Sequence, residues 1–222
     1  MTTIKDETLL ADIHQLLNST HPVRDAFHIQ GNSYRSWFPS RKGFDGPIPA
    51  ESGLAADALR LLDLAPEVVM IVPEPFTLSY ELDNEVRRYT PDFLLYLRDG
   101  RRAVIEVKWK KEAGLSDNKR RFEVIRTIFE AVGALFAVLT EETLRAPVLR
   151  QNMSLVESQK NRQLPVNTIE TILKCLGDGP IPLGELTTAV GDQRIVLAAV
   201  YQGIVALDLF KPMSAHTLTR RA

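Results

Sequence analysis

The chain of 222 residues contains a single cysteine, Cys175, which excludes an internal disulfide and any cysteine-based zinc site. Cys175 lies in an apolar, helix-like run and reads as a buried, inert thiol. No apolar stretch approaches the length of a membrane span, and the opening MTTIKDETLL has neither the basic start nor the apolar run of a signal peptide. The expectation is a cytoplasmic protein. An excess of charge of one sign is also missing. A net charge of −1 and a pI near 6.4 argue against a protein that coats DNA by charge alone. His14, His21 and His28 have no cysteine or carboxylate at ligand spacing, so a histidine metal site is not expected. What remains is ordinary: 45% hydrophobic and 25% charged residues, enough chain for one domain of usual size and a smaller one.

The organising stretch is Tyr89 to Lys111, YTPDFLLYLRDGRRAVIEVKWKK. Two strand-like runs, Asp92–Leu97 and Arg102–Trp109, flank Arg98-Asp99-Gly100-Arg101, where Asp-Gly suits a tight hairpin. Alternation puts Ala103, Ile105, Val107 and Trp109 on one face and Val104, Glu106 and Lys108 on the other. Glu106 and Lys108 therefore interrupt an apolar face, and Asp92 opens the partner strand. An exposed Glu–Lys pair on a surface hairpin would contribute little. These two, however, lie in a run too apolar for a solvated edge. Two carboxylates side by side offer hard oxygen ligands to Mg²⁺, which also takes phosphate oxygens and activates water, and a neighbouring Lys can offset charge on the phosphate. The chemistry indicated is cleavage of a phosphodiester.

Elsewhere, residues 4–18 carry apolar residues at helical spacing, and Glu51–Asp63 reads as a second helix with Glu51 in its first turn, ending before Pro66. Val68–Val72 and Phe76–Leu82 read as strands broken by Pro73-Glu74-Pro75. Ser116–Val132 is an amphipathic helix stopped by Gly133, Ala134–Leu139 a short apolar run that suits a buried strand paired in parallel, and Glu141–Leu149 the beginning of another helix. Many basic residues, Arg120, Arg121 and Arg126 among them, gather around the hairpin in sequence and suit a phosphate backbone. Residues 150–166 read as a linker or an exposed helix. Three short helices follow, Thr168–Leu176 capped by Asn167 and stopped by Gly177-Asp178-Gly179-Pro180, then Leu183–Val190 and Gln193–Gln202. Val205–Phe210 and Leu218 could then form a strand pair. That order resembles a winged helix. With Arg194 as the one clear base or phosphate reader on its second and third helices, a wing that docks protein is at least as well supported as one that reads DNA.

Pro91-Asp92 followed by Glu106-x-Lys108 resembles the PD-(D/E)xK signature of restriction-endonuclease-like folds. Ser40-Arg41-Lys42, ESGLAADALRLLDLAPEVV, EPFTLSY, RRYTPDFLLYLRDGRRAVIEVK and the small C-terminal region follow, in order and spacing, the pattern of TnsA, the endonuclease subunit of heteromeric transposases. The resemblance implies an α/β fold: a restriction-endonuclease-like mixed sheet flanked by helices, with a small winged-helix-like domain. It implies residues 1–50 as an N-terminal extension, 51–150 as nuclease core, 151–166 as linker and 167–222 as the C-terminal domain. It also implies Mg²⁺, with Mn²⁺ as a substitute, and cleavage of the 5′ strand at transposon ends. The implied partners are DNA, a DDE-type transposase and an AAA+ ATPase that docks on the C-terminal domain.

Carried over by position, Asp92 is the metal-binding aspartate, Glu106 the second acid, Lys108 the motif lysine and the Val107 carbonyl a further ligand. Arg41, Lys42, Lys110, Lys111, Lys119 and Arg120 are the expected DNA contacts. One position departs from the family, which commonly has Glu-Ser-x-Leu-Glu at the helix and draws a catalytic carboxylate from its last residue. Here that residue is Ala55. Either Glu51, one turn earlier, takes over, or the chain is an impaired or inactive subunit that bridges the transposase, its regulator and DNA. The expectation is a site impaired relative to the family, with a metal still held by Asp92 and Glu106. A stand-alone repair or restriction nuclease sharing only the core is a third reading.

Overall fold

The structure is a computed structural model that describes residues 7–23, 36–177 and 179–222. Ile4, His28 and Asp178 lie outside the described residues. The chain divides into two compact units, one of residues 1–63 with 67–144 and the other of 64–66 with 145–222.

The first unit opens with helix α1 (Glu7–Leu16) and a short antiparallel pair, β1 (Ser36–Phe38) with β2 (Ile48–Ala50). Helix α2 spans Gly53–Leu64, two residues later than Glu51. The reason is local: the Ser52 hydroxyl accepts from the Ala55 N–H at 3.0 Å, which makes Ser52 the cap and leaves Glu51 outside the helix. The strands β3 (Val68–Pro73), β6 (Phe93–Leu97), β7 (Arg102–Val107) and β8 (Leu135–Leu139) form a mixed sheet in the order β3-β6-β7-β8. Between β3 and β6 the chain makes a separate hairpin, β4 (Leu78–Leu82) with β5 (Glu85–Tyr89). Asp83 and Asn84 turn it with positive φ of 58° and 61°, the backbone that a two-residue hairpin demands. The sequence reading missed β5 because EVRRY is too polar to suggest a strand.

The central hairpin forms as its residues require, with Gly100 at φ 86° in its turn and Phe93 facing Ile105 and Leu94 facing Val104 across it. β7 then crosses over through α3 (Lys110–Ala113) and α4 (Ser116–Ala131) and pairs parallel with β8, so Glu106 faces Val138. Both faces of β7 are covered. Val104 and Leu94 enter a core with Tyr89, Phe122, Ile125, Phe129 and Phe136, and Ala103 and Ile105 on the other face are buried as well. This mixed four-stranded sheet flanked by helices fits the restriction-endonuclease-like fold. The short helix α5 (Glu141–Leu144) closes the unit.

In the second unit α6 (Pro147–Glu157) covers part of the segment read as linker or exposed helix. It starts on Pro147, as helices favour, and buries Leu149, Asn152, Met153 and Val156. Helices α7 (Val166–Cys175), α8 (Leu183–Val190) and α9 (Gln193–Tyr201) follow. Helix α7 starts earlier than expected, with Pro165 rather than Asn167 as its cap residue. Strands β9 (Ile181–Pro182), β10 (Val205–Leu207) and β11 (Leu218–Arg221) make a sheet in the order β10-β11-β9. Asp192 caps α9 through the Arg194 N–H at 2.8 Å and also binds the Arg194 guanidinium. Buried Asn152 donates to the carbonyls of Leu209 and Lys211 at 2.9 and 2.8 Å, pinning the loop after β10. No helix among the described residues is long and apolar enough to cross a membrane.

Candidate functional site

The site begins where β6 and β7 part. Continued one residue beyond Phe93–Ile105, the hairpin register sets Asp92 opposite Glu106. The Asp92 carboxylate bends onto the neighbouring strand, where its Oδ2 accepts the Val107 N–H at 2.6 Å. Burial pushes the Asp92 pKa up to about 7, and the charge of Glu106 adds to the rise. The Val107 N–H and the Lys108 ammonium oppose it, and Glu74 raises it further.

Glu106 is only 3% exposed. Two cations meet one of its oxygens: Lys108 Nζ lies 3.5 Å from Oε1 and Arg121 Nη2 donates to the same atom at 3.2 Å. Lys108 comes from the end of β7 and Arg121 from the buried side of α4. The Tyr89 ring, 2% exposed, lies under the Arg121 guanidinium at 5.4 Å. Its hydroxyl is held well above the usual phenol range by burial first, then by the adjacent Glu106 carboxylate and by Asp92.

An open cleft adjoins Asp92, with Glu51, Ser52, Ala55, Glu74 and Val107 also in its wall. Glu51 and Ala55 thus share the cleft, although Glu51 precedes the helix and the expected one-turn spacing along α2 does not apply. Glu106 and Lys108 are not part of this wall. Glu74 is an acid that the sequence reading passed over as a break between prolines. Its backbone is held at φ 37°, and its N–H donates to the Asp92 carbonyl at 3.0 Å. In sequence Arg121 belongs to a basic cluster, yet its spacing of four and eight residues from Ile125 and Phe129 puts it on the buried stripe of α4. Tyr89 carried no comparable signal.

A hard divalent cation suits these donors. Asp92 and Glu106 each keep one carboxylate oxygen clear of the ion pairs and the backbone bond above. No three acidic, histidine or cysteine side chains converge as a metal cage among the described residues. Asp92 and Glu106 supply two carboxylates, and Mg²⁺ fills its remaining positions with water and substrate oxygens.

The six expected DNA contacts are placed differently from one another. Arg41 is bound by Asp63 through its N–H at 2.9 Å and its Nε at 3.0 Å, and Lys42 Nζ donates to the Leu62 carbonyl at 3.2 Å. Both satisfy the end of α2, where free carbonyls and a buried Asp63 attract cations. Burial lowers the Lys42 pKa to about 8. Lys110 pairs with Glu142 and Arg120 with Asp83. Lys111 and Lys119 are exposed, with no ion pair among the described residues.

A search among curated proteins finds no match for the chain. Residues 65–141, from the turn before β3 to the start of α5, match the family described as TnsA-like endonuclease N terminal. That span contains the hairpin with Asp92, Glu106 and Lys108, the central part of the resemblance read from the sequence; Ser40-Arg41-Lys42, the start of the Glu51 segment and the C-terminal region lie outside it. Over residues 65–141, then, the chain is similar to the N-terminal domain of TnsA-like endonucleases, which supports a TnsA-like endonuclease subunit.

Proposed function

We propose that the chain is the metal-dependent DNA endonuclease subunit of a transposase, hydrolysing the 5′ strand at transposon ends. The observation that carries the reading is the junction of Asp92 with Val107 at 2.6 Å, which sets one carboxylate against the strand that bears Glu106 and Lys108. Mg²⁺, or Mn²⁺ in its place, held by Asp92, Glu106 and the Val107 carbonyl, would supply the positive charge that polarises the scissile phosphate and activates water. Lys108 offsets negative charge as the phosphate is attacked and orients the attacking water. Glu51, on the cleft wall, accepts a hydrogen bond from that water or serves a second metal. In-line attack expels the 3′ oxygen and leaves a 5′ phosphate. Lys110, Lys111, Lys119 and Arg120 face the DNA backbone, Lys110 and Arg120 by exchanging exposed ion pairs for phosphate.

The second unit is proposed to be a winged-helix-like domain that docks an AAA+ regulator or the DDE-type transposase. Helix α9 buries five consecutive residues, Val196 to Val200, and its one arginine is bound by Asp192, which favours protein docking over DNA reading.

Ala55 on the cleft wall favours a second reading, an impaired or inactive subunit that bridges transposase, regulator and DNA. Cleavage of a labelled transposon-end duplex with Mg²⁺ and with Mn²⁺, in the presence of the partner transposase, separates the two. Asp92→Ala is expected to lower 5′-strand cleavage roughly a thousandfold or more. Undiminished cutting by that variant removes the assignment. If only Ala55→Glu cuts, the chain as it stands is the bridging subunit; if both cut equally, Glu51 already does the work of the missing carboxylate.

A further inference from the structure

Glu106 is the most buried acid of the site, and the group that holds it from outside the nuclease motif is Arg121. We infer that Arg121 is a positioning residue of the metal site, fixing the Glu106 carboxylate so that its second oxygen stays available to a divalent cation. The inference rests on the nuclease reading above. Arg121 and Lys108 both meet Oε1, so neither claims Oε2. The two cations differ in how firmly they are placed. Lys108 follows the end of β7 and carries a flexible four-carbon stem. Arg121 stands in the middle of α4, its guanidinium 5.4 Å from the Tyr89 ring centre and 5.1 Å from that of Phe122. A planar cation held against two rings has few orientations open to it, and its hydrogen bond transmits that restriction to the acid.

A role confined to stability would ask for more than the structure provides. Arg121 makes a single hydrogen bond to Glu106 through Nη2, while its Nε is buried with no partner among the described residues. A guanidinium placed only to neutralise a buried carboxylate would gain from a bidentate grip. The one-pronged contact leaves an oxygen exposed to other use. The neighbouring Tyr89 hydroxyl lies beside both acids.

The test is Mn²⁺ binding by the full-length chain, followed by calorimetry and by the electron paramagnetic resonance signal of free Mn²⁺, with no DNA and no turnover. The unsubstituted chain, R121Q, R121K and D92N are compared, and circular dichroism checks that each is folded. R121Q is expected to weaken Mn²⁺ binding about tenfold or more, the range seen when a group orienting a metal ligand is lost. R121K is expected to recover part of that loss. Binding by folded R121Q within twofold of the unsubstituted chain overturns the inference. Tighter binding overturns it too, because Arg121 would then compete with the metal for Glu106. Should R121Q fail to fold, R121K decides: it keeps the charge but not the plane, so unchanged binding counts against positioning and weaker binding supports it. If the unsubstituted chain binds no Mn²⁺, or binds it equally in D92N, the nuclease reading itself fails and this inference falls with it.

Discussion

Two hairpins follow one another in the chain, and they treat charge in opposite ways. In β4–β5 the charged residues Glu81, Glu85 and Arg88 point to solvent, and Val86 is 79% exposed. In β6–β7 both faces are covered, so Asp92 and Glu106 are carried into the interior with Lys108 and Arg121 around them. An exposed charge costs a hairpin almost nothing, whereas each buried one must be desolvated and compensated. The molecule bears that cost in the second hairpin alone of the two, at the place where it meets a cleft. The difference sets β6–β7 apart as the hairpin with buried charge, which is the contrast that the proposed nuclease site predicts.

Substitutions that remove the buried charges test this contrast most severely. Glu106→Gln should lower cleavage roughly a thousandfold, as Asp92→Ala should. Its effect on stability is smaller, about 1–3 kcal/mol, because Lys108 and Arg121 lose a buried partner but are each near 30% exposed and regain water. Denaturant unfolding and strand cleavage on the same preparation would separate the two effects. A Glu106→Gln chain that cuts normally would place Glu106 with the harmless charges of β4–β5.

The next effect runs in the opposite direction, toward greater stability. The folded-state pKa of Asp92 is raised from 3.8 to about 7, by burial first and by Glu106 second. Folding therefore holds a proton on Asp92 that the unfolded chain has already released, and stability falls as pH rises from about 4 through 7. Above pH 7 the full penalty applies. Asp92→Asn keeps an oxygen for the Val107 N–H and removes the charge. It should stabilise the metal-free protein by about 2–4 kcal/mol near pH 8, and by less than half of that near pH 5. The same variant should not cut DNA. Stability curves at the two pH values check the sign, and a variant no more stable at pH 8 than the unsubstituted chain would show that Asp92 is solvated like the acids of β4–β5.

Much of this second hairpin could be read before the structure, and the reasons are local. Asp99-Gly100 sets the turn, a period of two sets the faces, and Glu106 stands out because the residues around it are apolar. The α4 stripe and the three short helices of the second unit were legible for the same reason, since each repeats every three or four residues. Long-range placement was not legible. Glu74 looks like a break between prolines until β3 and β6 pair and bring it to Asp92. Tyr89 looks like any aromatic at a strand end until α4 lays Arg121 over it. Glu51 could have been corrected from sequence: a serine one residue later, before a helical run, is a strong cap signal, and it leaves Glu51 outside the helix. Arg41 and Lys42 read as a free basic pair in a turn-rich loop, whereas Asp63, twenty-odd residues away, binds Arg41 and the Leu62 carbonyl accepts from Lys42.

The cleft provides a third, intermediate effect. Ala55→Glu adds a carboxylate to a wall that already holds Glu51, Glu74 and Asp92. Without metal the added charge repels its neighbours and should cost about 0.5–2 kcal/mol; with Mg²⁺ or Mn²⁺ the cost should shrink as the cation neutralises the wall. Thermal unfolding of Ala55→Glu with and without Mn²⁺ measures this directly. A cost that the metal leaves unchanged would separate position 55 from the Asp92 site.

The smallest expected effect is also the control for the contrast. Glu85 begins β5, is exposed, and approaches Arg87 at 3.5 Å across solvent-accessible side chains. Such a pair is worth roughly 0–1 kcal/mol because water and salt compete for both partners. Glu85→Gln keeps the length and polarity of the side chain and leaves the Asp83-Asn84 turn to hold the register. Its unfolding free energy should change by less than about 0.5 kcal/mol, and its cleavage should match that of the unsubstituted chain. A loss above about 1 kcal/mol, or a fall in cutting, would mean that β4–β5 is also under functional load, with burial no longer the property that separates the two hairpins. Equal behaviour across both measurements would leave burial as what distinguishes Glu106 from Glu85, since the two residues share their chemistry and both sit on strands.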